Sequence, residues 1–448
     1  MPPVLLTKLL SVVLRRLRWL GSPQALARLS VGEVGSYAAG IAYMLQARAW
    51  TLLRGAPTWP AVHAAWAGAE GGTALRDALA GRLHASDELE LIADGAAGFA
   101  RREALYAGAR HTIAIASYYL QSDDTGRATV SALAACVQRG LRVRLLVDRF
   151  MTFKKTQEAP DLPALLAQAQ AAGIELRQWH DPQRPHDSNH RKMIVIDGAA
   201  TDADESPVAL VGGRNFADHY RGDAWRDVDL VLRGPSVAPL AQLFEAVWAG
   251  AAPAAGGGDP PHPVPPWVDH VPARILADPM MRFVLAAIGA ARESVAIELA
   301  YFVAHEPLCG ALVRAAQRGV RVRLLTNSAE SNDLPFATWT TYEGVRRLLE
   351  GGCEVHLRRG AGRTLHCKYV VIDGCWVSFG SHNLDYFSPR LCCETNLVVH
   401  DERLGTMLLG FFEAGWAEAA PAAPHEVQQF LLSAGAQRWF DRLFRDFQ

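Results

Sequence analysis

A histidine and a lysine stand two positions apart at two places in the chain, each time ahead of an apolar run and an Asp-Gly pair. The first copy reads "HRKMIVIDG" and the second reads "HCKYVVIDG". Imidazole can attack phosphorus or move a proton near neutral pH, and lysine adds a fixed positive charge. We predict that the catalytic residues are His190, Lys192 and Asp197 in the first copy and His366, Lys368 and Asp373 in the second.

A four-residue segment that ends in asparagine follows each copy: "GGRN" begins at Gly212 and "GSHN" begins at Gly380. Small residues let the backbone approach a ligand closely, and asparagine amides donate hydrogen bonds to anionic oxygens. We predict that the substrate-binding residues are Gly213, Asn215, Ser381 and Asn383.

Side chains two apart on a strand share one face, so each histidine should lie beside its lysine. If the two copies meet face to face, both imidazoles and both ammonium groups enter one pocket that suits a phosphoryl group. One imidazole can attack phosphorus while the other protonates the leaving alkoxide, and the covalent intermediate then passes to water or to another alcohol. Because the lysines would repel a divalent cation, we predict no metal and no cofactor.

A nucleophilic imidazole needs an acceptor at its second nitrogen to fix the tautomer. Aligning "WRDVDLVL" with "CCETNLVV" places Asp227 opposite Glu394, and we predict that these carboxylates hold the histidines. Asp229 is the alternative in the first half, because it lies only two residues further on. The other interpretation of each carboxylate is an ordinary surface group.

The flanking sequence is also written twice. "QRGLRVRLLVD" starts at Gln138 and "QRGVRVRLLTN" starts 179 residues later, while the two motif histidines are 176 residues apart. This is a tandem repeat of a large unit in which strands and helices alternate. The sequence therefore predicts an α/β fold with a mixed sheet flanked by helices in each half.

We predict four regions: a helical extension at 1–84, a first domain at 85–248, a Pro/Gly-rich linker at 249–270 and a second domain at 271–448. The N-terminal "LLTKLLSVVLRRLRWL" places leucines on one side of a helix and basic residues on the other. That pattern is typical of a helix that lies in a membrane interface or packs on the protein body. No run of 18 apolar residues occurs, so we expect no spanning helix.

The 448 residues carry a formal net charge of −1, and this neutral balance disfavours a dedicated nucleic-acid binder. The seven cysteines include no CxxC pair. Reduced thiols are therefore favoured over a disulfide scaffold or a zinc ribbon.

The paired motifs resemble the two HKD motifs, H-x-K-x4-D followed by G-[GS]-x-N, of the phospholipase D superfamily, and the resemblance covers most of the chain from about Leu89 onward. "GGRNFADHY", "WRDVDLVLRGP" and "LLTNSAESNDLPFATWTTYEGVRRLLEGGCEVH" are similar to segments of bacterial cardiolipin synthases. The resemblance implies two α/β/α sandwich domains packed pseudo-symmetrically. It also implies a phosphohistidine at His190, with His366 as general acid and then base, and no metal.

The function implied is a phosphatidyltransferase that cleaves phosphatidylglycerol or a similar phospholipid and passes the phosphatidyl group to a lipid alcohol. We expect such an enzyme to lie peripherally on the cytoplasmic side of a membrane. Hydrolysis to phosphatidic acid is the first alternative, because the dryness of the pocket decides between water and alcohol. A nuclease is disfavoured by the neutral charge, and a non-catalytic protein by the two intact motifs.

Two segments, "RFMTFKKTQEAPDLP" and "NSAESNDLPFATWTTYEG", are predicted to be loops that set substrate choice. Phe150, Phe153 and Trp339 would meet acyl chains, whereas Lys154 and Lys155 would meet a headgroup phosphate. The alternative is a pair of ordinary surface loops with a few packed aromatic residues.

Overall fold

The computed structural model describes residues 42, 69–182, 187–198, 207–250, 267–270, 279–303, 306–334, 337–385, 388, 392–435 and 438. The predicted amphipathic N-terminal helix and most of the predicted linker lie outside these residues. The domain boundaries at 85, 249 and 271 stay predictions. Within the described ranges, no helix is both long and apolar enough to cross a membrane.

The first half builds a mixed sheet flanked by helices. Its described elements are α1 (Ala69–Leu79), β1 (Glu88–Ile92), α2 (Gly95–Gly108), β2 (Thr112–Ser117), α3 (Asp124–Gln138), β3 (Arg142–Asp148), α4 (Arg149–Glu158), α5 (Leu162–Ala171), β4 (Glu175–Trp179), β5 (Ser188–Asn189), β6 (Met193–Ile196), β7 (Val208–Gly212), β8 (Asp229–Arg233) and α6 (Ala238–Trp248). Seven of these strands form a sheet in the order β1-β8-β7-β6-β2-β3-β4. β2, β3 and β4 are parallel, whereas β6, β7 and β8 pair antiparallel.

The second half repeats this plan. Its described elements are β9 (Trp267–His270), α7 (Pro279–Ala290), β10 (Ser294–Leu299), α8 (Glu306–Gln317), β11 (Arg321–Asn327), α9 (Thr338–Glu350), β12 (Glu354–Arg358), β13 (Lys368–Ile372), β14 (Trp376–Gly380), β15 (Cys392–His400), α10 (Glu402–Glu418), β16 (Ala420–Pro421) and α11 (Pro424–Ser433). The order β12-β11-β10-β13-β14-β15 matches β4-β3-β2-β6-β7-β8, and β9 lies beside β15 as β1 lies beside β8. The predicted α/β fold with two mixed sheets is confirmed.

Both faces of each sheet are apolar because both are covered. In β2, Ile113 packs into an outer core with α2, α3 and α5, whereas its neighbour Ala114 faces a central core. The central core is shared between the halves: it contains Val371 of the second sheet, Phe244 of α6 and Phe412 of α10. The two sheets therefore pack on one another through these helices, and the interface between them is continuous with the hydrophobic core.

The two segments predicted as substrate loops are partly helical, which corrects the sequence analysis. α4 begins directly after β3, because the carboxylate of Asp148 accepts a hydrogen bond of 2.7 Å from the amide of Met151 and caps the helix. α9 begins at Thr338, inside the second segment, and Trp339 is buried. The polar sequence of α4 has no clear helical periodicity, so the apolar pattern did not reveal the helix.

Candidate active site

Each motif histidine lies just before a central strand. The backbone amide of the residue that precedes the histidine donates a hydrogen bond to the side chain of the last residue of a neighbouring strand. The amide of Asn189 donates to Asp148 Oδ2 at 2.8 Å, and the amide of Leu365 donates to Asn327 Oδ1 at 2.8 Å. Asp148 ends β3 and Asn327 ends β11, so the repeat builds the same support twice. The sequence analysis did not single out these two residues, although the repeat alignment places them opposite each other.

Each histidine is then held by a carboxylate from the other half. His190 Nδ1 lies 2.8 Å from Glu394 Oε2, and His366 Nδ1 lies 2.8 Å from Asp227 Oδ2. Both carboxylates are fully buried. The two predicted carboxylates therefore contact the two histidines, and the contacts cross between the halves.

The alternative carboxylate in the first half has other partners. Asp229 Oδ2 lies 3.2 Å from Arg102 and 3.3 Å from Arg214, and all three side chains are buried. Asp227, two residues earlier, therefore provides the histidine contact.

Backbone hydrogen bonds also connect each histidine to the other half. The amide of His190 donates to the carbonyl of Cys393 at 2.9 Å, and the amide of His366 donates to the carbonyl of Arg226 at 2.7 Å. The short strand β5, from the first half, pairs in parallel with the start of β15 in the second. Arg226 also forms a 2.6 Å ion pair with Glu298 across the same boundary. The site therefore belongs to the interface and is incomplete in either half alone.

Ser381 and Gly213, from the two segments that end in asparagine, lie beside the carboxylates of Glu394 and Asp227. Ser381 Oγ donates to Glu394 Oε2 at 2.6 Å. At the equivalent position in the first half, a Cβ on Gly213 would lie only 2.3 Å from Asp227 Oδ1. Glycine is needed there because any side chain would displace the carboxylate. The predicted substrate contacts of these two residues stay predictions.

The lysines of both motifs are buried and lie near one another. Lys192 Nζ donates to the carbonyl of His190 at 2.7 Å, and Lys368 Nζ donates to the carbonyl of His366 at 2.5 Å. Burial lowers the pKa of Lys192 to about 7; Glu394 opposes this shift and Lys368 adds to it. The two ammonium groups repel each other. A bound phosphodiester would reduce this repulsion, because its negative charge stabilises both ammonium groups.

Burial favours the neutral form of both imidazoles when no substrate is bound. Burial lowers the pKa of His190 to about 4, although Glu394 opposes the shift. Burial, Lys368 and Lys192 all lower the pKa of His366 well below 6.5. With the Nδ1 proton donated to a carboxylate, each neutral ring keeps a lone pair on Nε2. That atom is the one available to attack phosphorus or to exchange a proton.

The asparagines have different surroundings. Asn215 Nδ2 donates to the hydroxyl of Tyr220 at 2.9 Å, and the Tyr220 ring lies 5.4 Å from the ring of His366. Asn383 is buried, and its Oδ1 has no hydrogen-bond partner in the part of the chain that the structure describes. Asn215 is thus linked to the His366 side of the pocket.

The aspartates of the two motifs lie at the far ends of β6 and β13 from the histidines. Asp197 and Asp373 both adopt positive φ, 53° and 47°, at the turn before a glycine. Their carboxylates accept hydrogen bonds of 2.8–3.2 Å from the backbone amides of Arg110, His111 and Thr112 and of Arg292, Glu293 and Ser294, respectively. These contacts fix the central strands to β2 and β10, and they lie outside the histidine pocket.

Aromatic residues that the sequence analysis did not predict surround the histidines. Tyr118 contacts His190 edge-on at 4.6 Å between ring centroids. Trp225 and Tyr301 lie 5.7 Å and 6.5 Å from His366. Tyr301 lies two residues after β10 in "SVAIELAY", where the first repeat has "HTIAIASYY". The repeated tyrosine was a signal that could have been used.

No group of three or more His, Cys, Asp or Glu side chains within the described ranges could hold a metal ion. The seven cysteines, all of which are described, form no disulfide. The pocket instead combines two imidazoles, two ammonium groups and two carboxylates from both halves.

The chain is similar to known proteins along most of its length. The family model described as "Cardiolipin synthase, PLD-like domain" matches residues 104–248 and 284–416. Cardiolipin synthase A of Pseudomonas fluorescens strain Pf-5 is 30% identical over 376 residues, which cover 77% of this chain and 72% of that protein. Cardiolipin synthase of Geobacillus kaustophilus is 29% identical over 318 residues, which cover 65% of this chain but only 59% of that protein.

The fold is also found among solved structures. The crystal structure of phosphatidylserine synthase from Haemophilus influenzae Rd KW20 matches with a TM-score of 0.67 and 14% identity, covering 85% of this chain and 100% of that one. At this identity the likeness concerns the fold alone. The family model matches both halves around both histidine motifs, and it confirms the predicted resemblance together with the 30% identical relative: the chain belongs to the phospholipase D-like family of cardiolipin synthases.

Proposed function

We propose that the protein transfers the phosphatidyl group of phosphatidylglycerol to the hydroxyl of a second lipid alcohol, such as another phosphatidylglycerol. Its class, a phospholipase D-type phosphatidyltransferase, follows from the family and its relatives. The observation that carries the mechanism is the crossed pair of contacts of 2.8 Å, His190–Glu394 and His366–Asp227. These contacts leave both Nε2 atoms for one phosphodiester.

In the first step, Nε2 of His190 attacks the phosphorus and the P–O bond to the glycerol headgroup breaks. His366 gives the proton on its Nε2 to the departing oxygen, so glycerol leaves as a neutral alcohol. The phosphatidyl group is then joined to His190 by a P–N bond. The bound phosphodiester offsets the lysine charges that lower the pKa of His366, and substrate binding therefore favours its protonated form.

In the second step, Nε2 of His366 takes the proton of the acceptor hydroxyl while the acceptor oxygen attacks phosphorus. The P–N bond breaks, which frees His190 and yields cardiolipin when the acceptor is phosphatidylglycerol. Lys192, Lys368, Asn215 and Asn383 are proposed to bind the non-bridging oxygens, where charge is highest in the transition state. Water in place of the alcohol would yield phosphatidic acid, which is the hydrolytic alternative.

The aspartates of the motifs have a positioning role in this mechanism, because their carboxylates bind backbone amides at the opposite ends of the strands. We further propose peripheral contact with the cytoplasmic side of a membrane and no nucleic-acid partner. The lipid nature of the proposed substrate and the basic amphipathic pattern near the N-terminus support the membrane contact.

The experiment that tests this function is mass spectrometry of the products formed from phosphatidylglycerol vesicles, with His190→Ala as the matched control. We expect cardiolipin and glycerol from the natural enzyme and neither from the variant. Phosphatidic acid without cardiolipin would make the protein a hydrolase. No product from phosphatidylglycerol with the natural enzyme would reject the proposal.

A further inference from the structure

Two buried hydrogen-bond donors lie beside His366, and one of them has no partner among the described residues. We propose that these donors, the hydroxyl of Tyr220 and the indole N–H of Trp225, bind the hydroxyl groups of a polyol headgroup. They would thereby select a glycerol-type acceptor over water or a simple alcohol. This inference rests on the proposed transfer reaction, because only a covalent intermediate offers a choice of acceptor.

The Tyr220 hydroxyl is already used twice as an acceptor. It accepts a hydrogen bond of 3.3 Å from the hydroxyl of Tyr119 and one of 2.9 Å from Asn215 Nδ2. When Tyr119 donates its proton here rather than to His219 Nε2, which lies 3.2 Å away, the proton of Tyr220 is left without an acceptor in the described part of the chain. The residue is only 2% exposed. A buried hydroxyl that is held this firmly has one proton left to donate to a ligand oxygen.

The Trp225 indole gives an independent observation. Its Nε1 atom is buried and has no hydrogen-bond partner in the described part of the chain. Its ring packs against His219 at 4.4 Å and lies 5.7 Å from His366. A buried indole N–H normally finds an acceptor, so its position beside the acid–base histidine indicates an oxygen supplied by a ligand.

The same side of the pocket also provides an acceptor. The hydroxyl of Tyr301 donates to the carboxylate of Asp333 at 2.9 Å, and the Tyr301 ring lies 6.5 Å from His366. Asp333 belongs to the segment that the sequence analysis linked to substrate choice. Aromatic faces, two donors and a carboxylate suit a compact molecule with C–H groups and several hydroxyls, each of which both donates and accepts.

The position of these groups identifies the headgroup as their ligand. His366 must contact the oxygen that leaves and the oxygen that enters. Tyr220, Trp225 and Tyr301 contact His366, whereas Tyr118 contacts His190 on the other side. The leaving headgroup and the acceptor therefore occupy the Tyr220–Trp225 side, and the phosphatidyl group stays with His190.

The test uses phosphatidyl-p-nitrophenol as donor, because nitrophenolate leaves without a proton and forms no headgroup contact of this kind. Glycerol and propan-1-ol compete at equal concentration, and mass spectrometry measures phosphatidylglycerol against phosphatidylpropanol. The natural enzyme should favour glycerol by about tenfold, which corresponds to two neutral hydrogen bonds. Tyr220→Phe and Trp225→Phe should each lower this preference about threefold.

Tyr118→Phe is the matched control, because it removes one hydroxyl on the His190 side and should leave the preference for glycerol unchanged. The burst of nitrophenolate reports attack by His190 and should remain in all variants. An equal yield from both alcohols with the natural enzyme would overturn the inference, whatever the variants do. An unchanged preference in both variants would also overturn it. Absence of nitrophenolate release from the natural enzyme would reject the proposed function itself.

Discussion

His190 and Glu394 are 204 residues apart, yet Nδ1 of the histidine lies 2.8 Å from Oε2 of the glutamate. His366 and Asp227 form the same contact in the opposite direction, at 2.8 Å and a separation of 139 residues. Neither half contains a complete histidine–carboxylate pair. The duplication therefore supplies the chemistry as well as the fold, because each repeat completes the site of the other.

Removing the charge of the two carboxylates should separate the two chemical steps. Glu394→Gln should slow the nitrophenolate burst from phosphatidyl-p-nitrophenol by roughly 100-fold or more, since His190 loses its tautomer support. Asp227→Asn should slow steady-state turnover more than the burst, because nitrophenolate leaves without a proton from His366. Stopped-flow absorbance measures both rates. Equal slowing of the burst by both variants would contradict the assignment of roles.

The pH dependence of kcat/KM should reflect the buried lysine and the buried histidine. Lys192, with its pKa lowered to about 7 by burial, loses its charge as the pH rises through that value and then binds the phosphoryl group less well. His190, with its pKa lowered to about 4, becomes protonated and unreactive only at lower pH. We expect activity to be highest between these values.

Lys192→Arg tests the basic limb of this profile. A guanidinium stays charged well above pH 7, so the limb should move to higher pH even if the maximum rate falls. The measurement is kcat/KM for phosphatidyl-p-nitrophenol across this pH range. A basic limb at the same pH in both proteins would show that another group controls it.

Substitution of Asp197 or Asp373 should reduce the stability of the protein more than it impairs the chemical step. Asp197→Ala removes hydrogen bonds from three backbone amides and should lower the free energy of unfolding by about 2–4 kcal/mol. Asp373→Ala should behave similarly in the second half. Urea denaturation measures the loss, and the burst of the folded variants should exceed that of His190→Ala. A variant with full stability and no burst would instead place the aspartate on the substrate.

Gly213→Ala should impair the site through one methyl group. The new Cβ would lie 2.3 Å from Asp227 Oδ1, so the carboxylate must move away from His366. We expect a loss of about 1–3 kcal/mol in stability and a larger relative loss in turnover. Gly222→Ala is the control, since its Cβ would meet no atom within 4 Å. Similar turnover in both variants would contradict this position for Asp227.

Much of the site could be predicted because the motif is written twice. His190, Lys192, His366 and Lys368 were identified from types and spacing, and the repeat offset predicted the duplicated sheets. The repeat alignment favoured Asp227 but left Asp229 as an alternative, because residues two apart on a strand point to one side. In the structure, Asp229 forms ion pairs with Arg102 and Arg214, and Asp227 contacts the histidine instead.

The crossing of the pairs could not be predicted, because it depends on how the two sheets dock. β5 is only two residues long and lacks any strand pattern, yet it joins the first half to β15. Tyr220 and Trp225 were missed for a related reason: they come from a short 3-10 helix and the turn after it, and only packing brings their rings to His366. The helix α4 was predicted as a loop because its polar sequence has no clear helical periodicity and its cap, Asp148, lies in the preceding strand.

The most direct test of the mechanism is to find the covalent intermediate. His366→Asn enzyme would be mixed with phosphatidyl-p-nitrophenol, quenched, digested at neutral pH and mapped by mass spectrometry. We predict a phosphatidyl adduct on the peptide that contains His190, which accumulates because His366 is absent as base. His190→Asn enzyme should carry no adduct. An adduct on His366 in the His190→Asn enzyme, or none on His190 in the His366→Asn enzyme despite release of nitrophenolate, would contradict the assignment of His190 as the nucleophile.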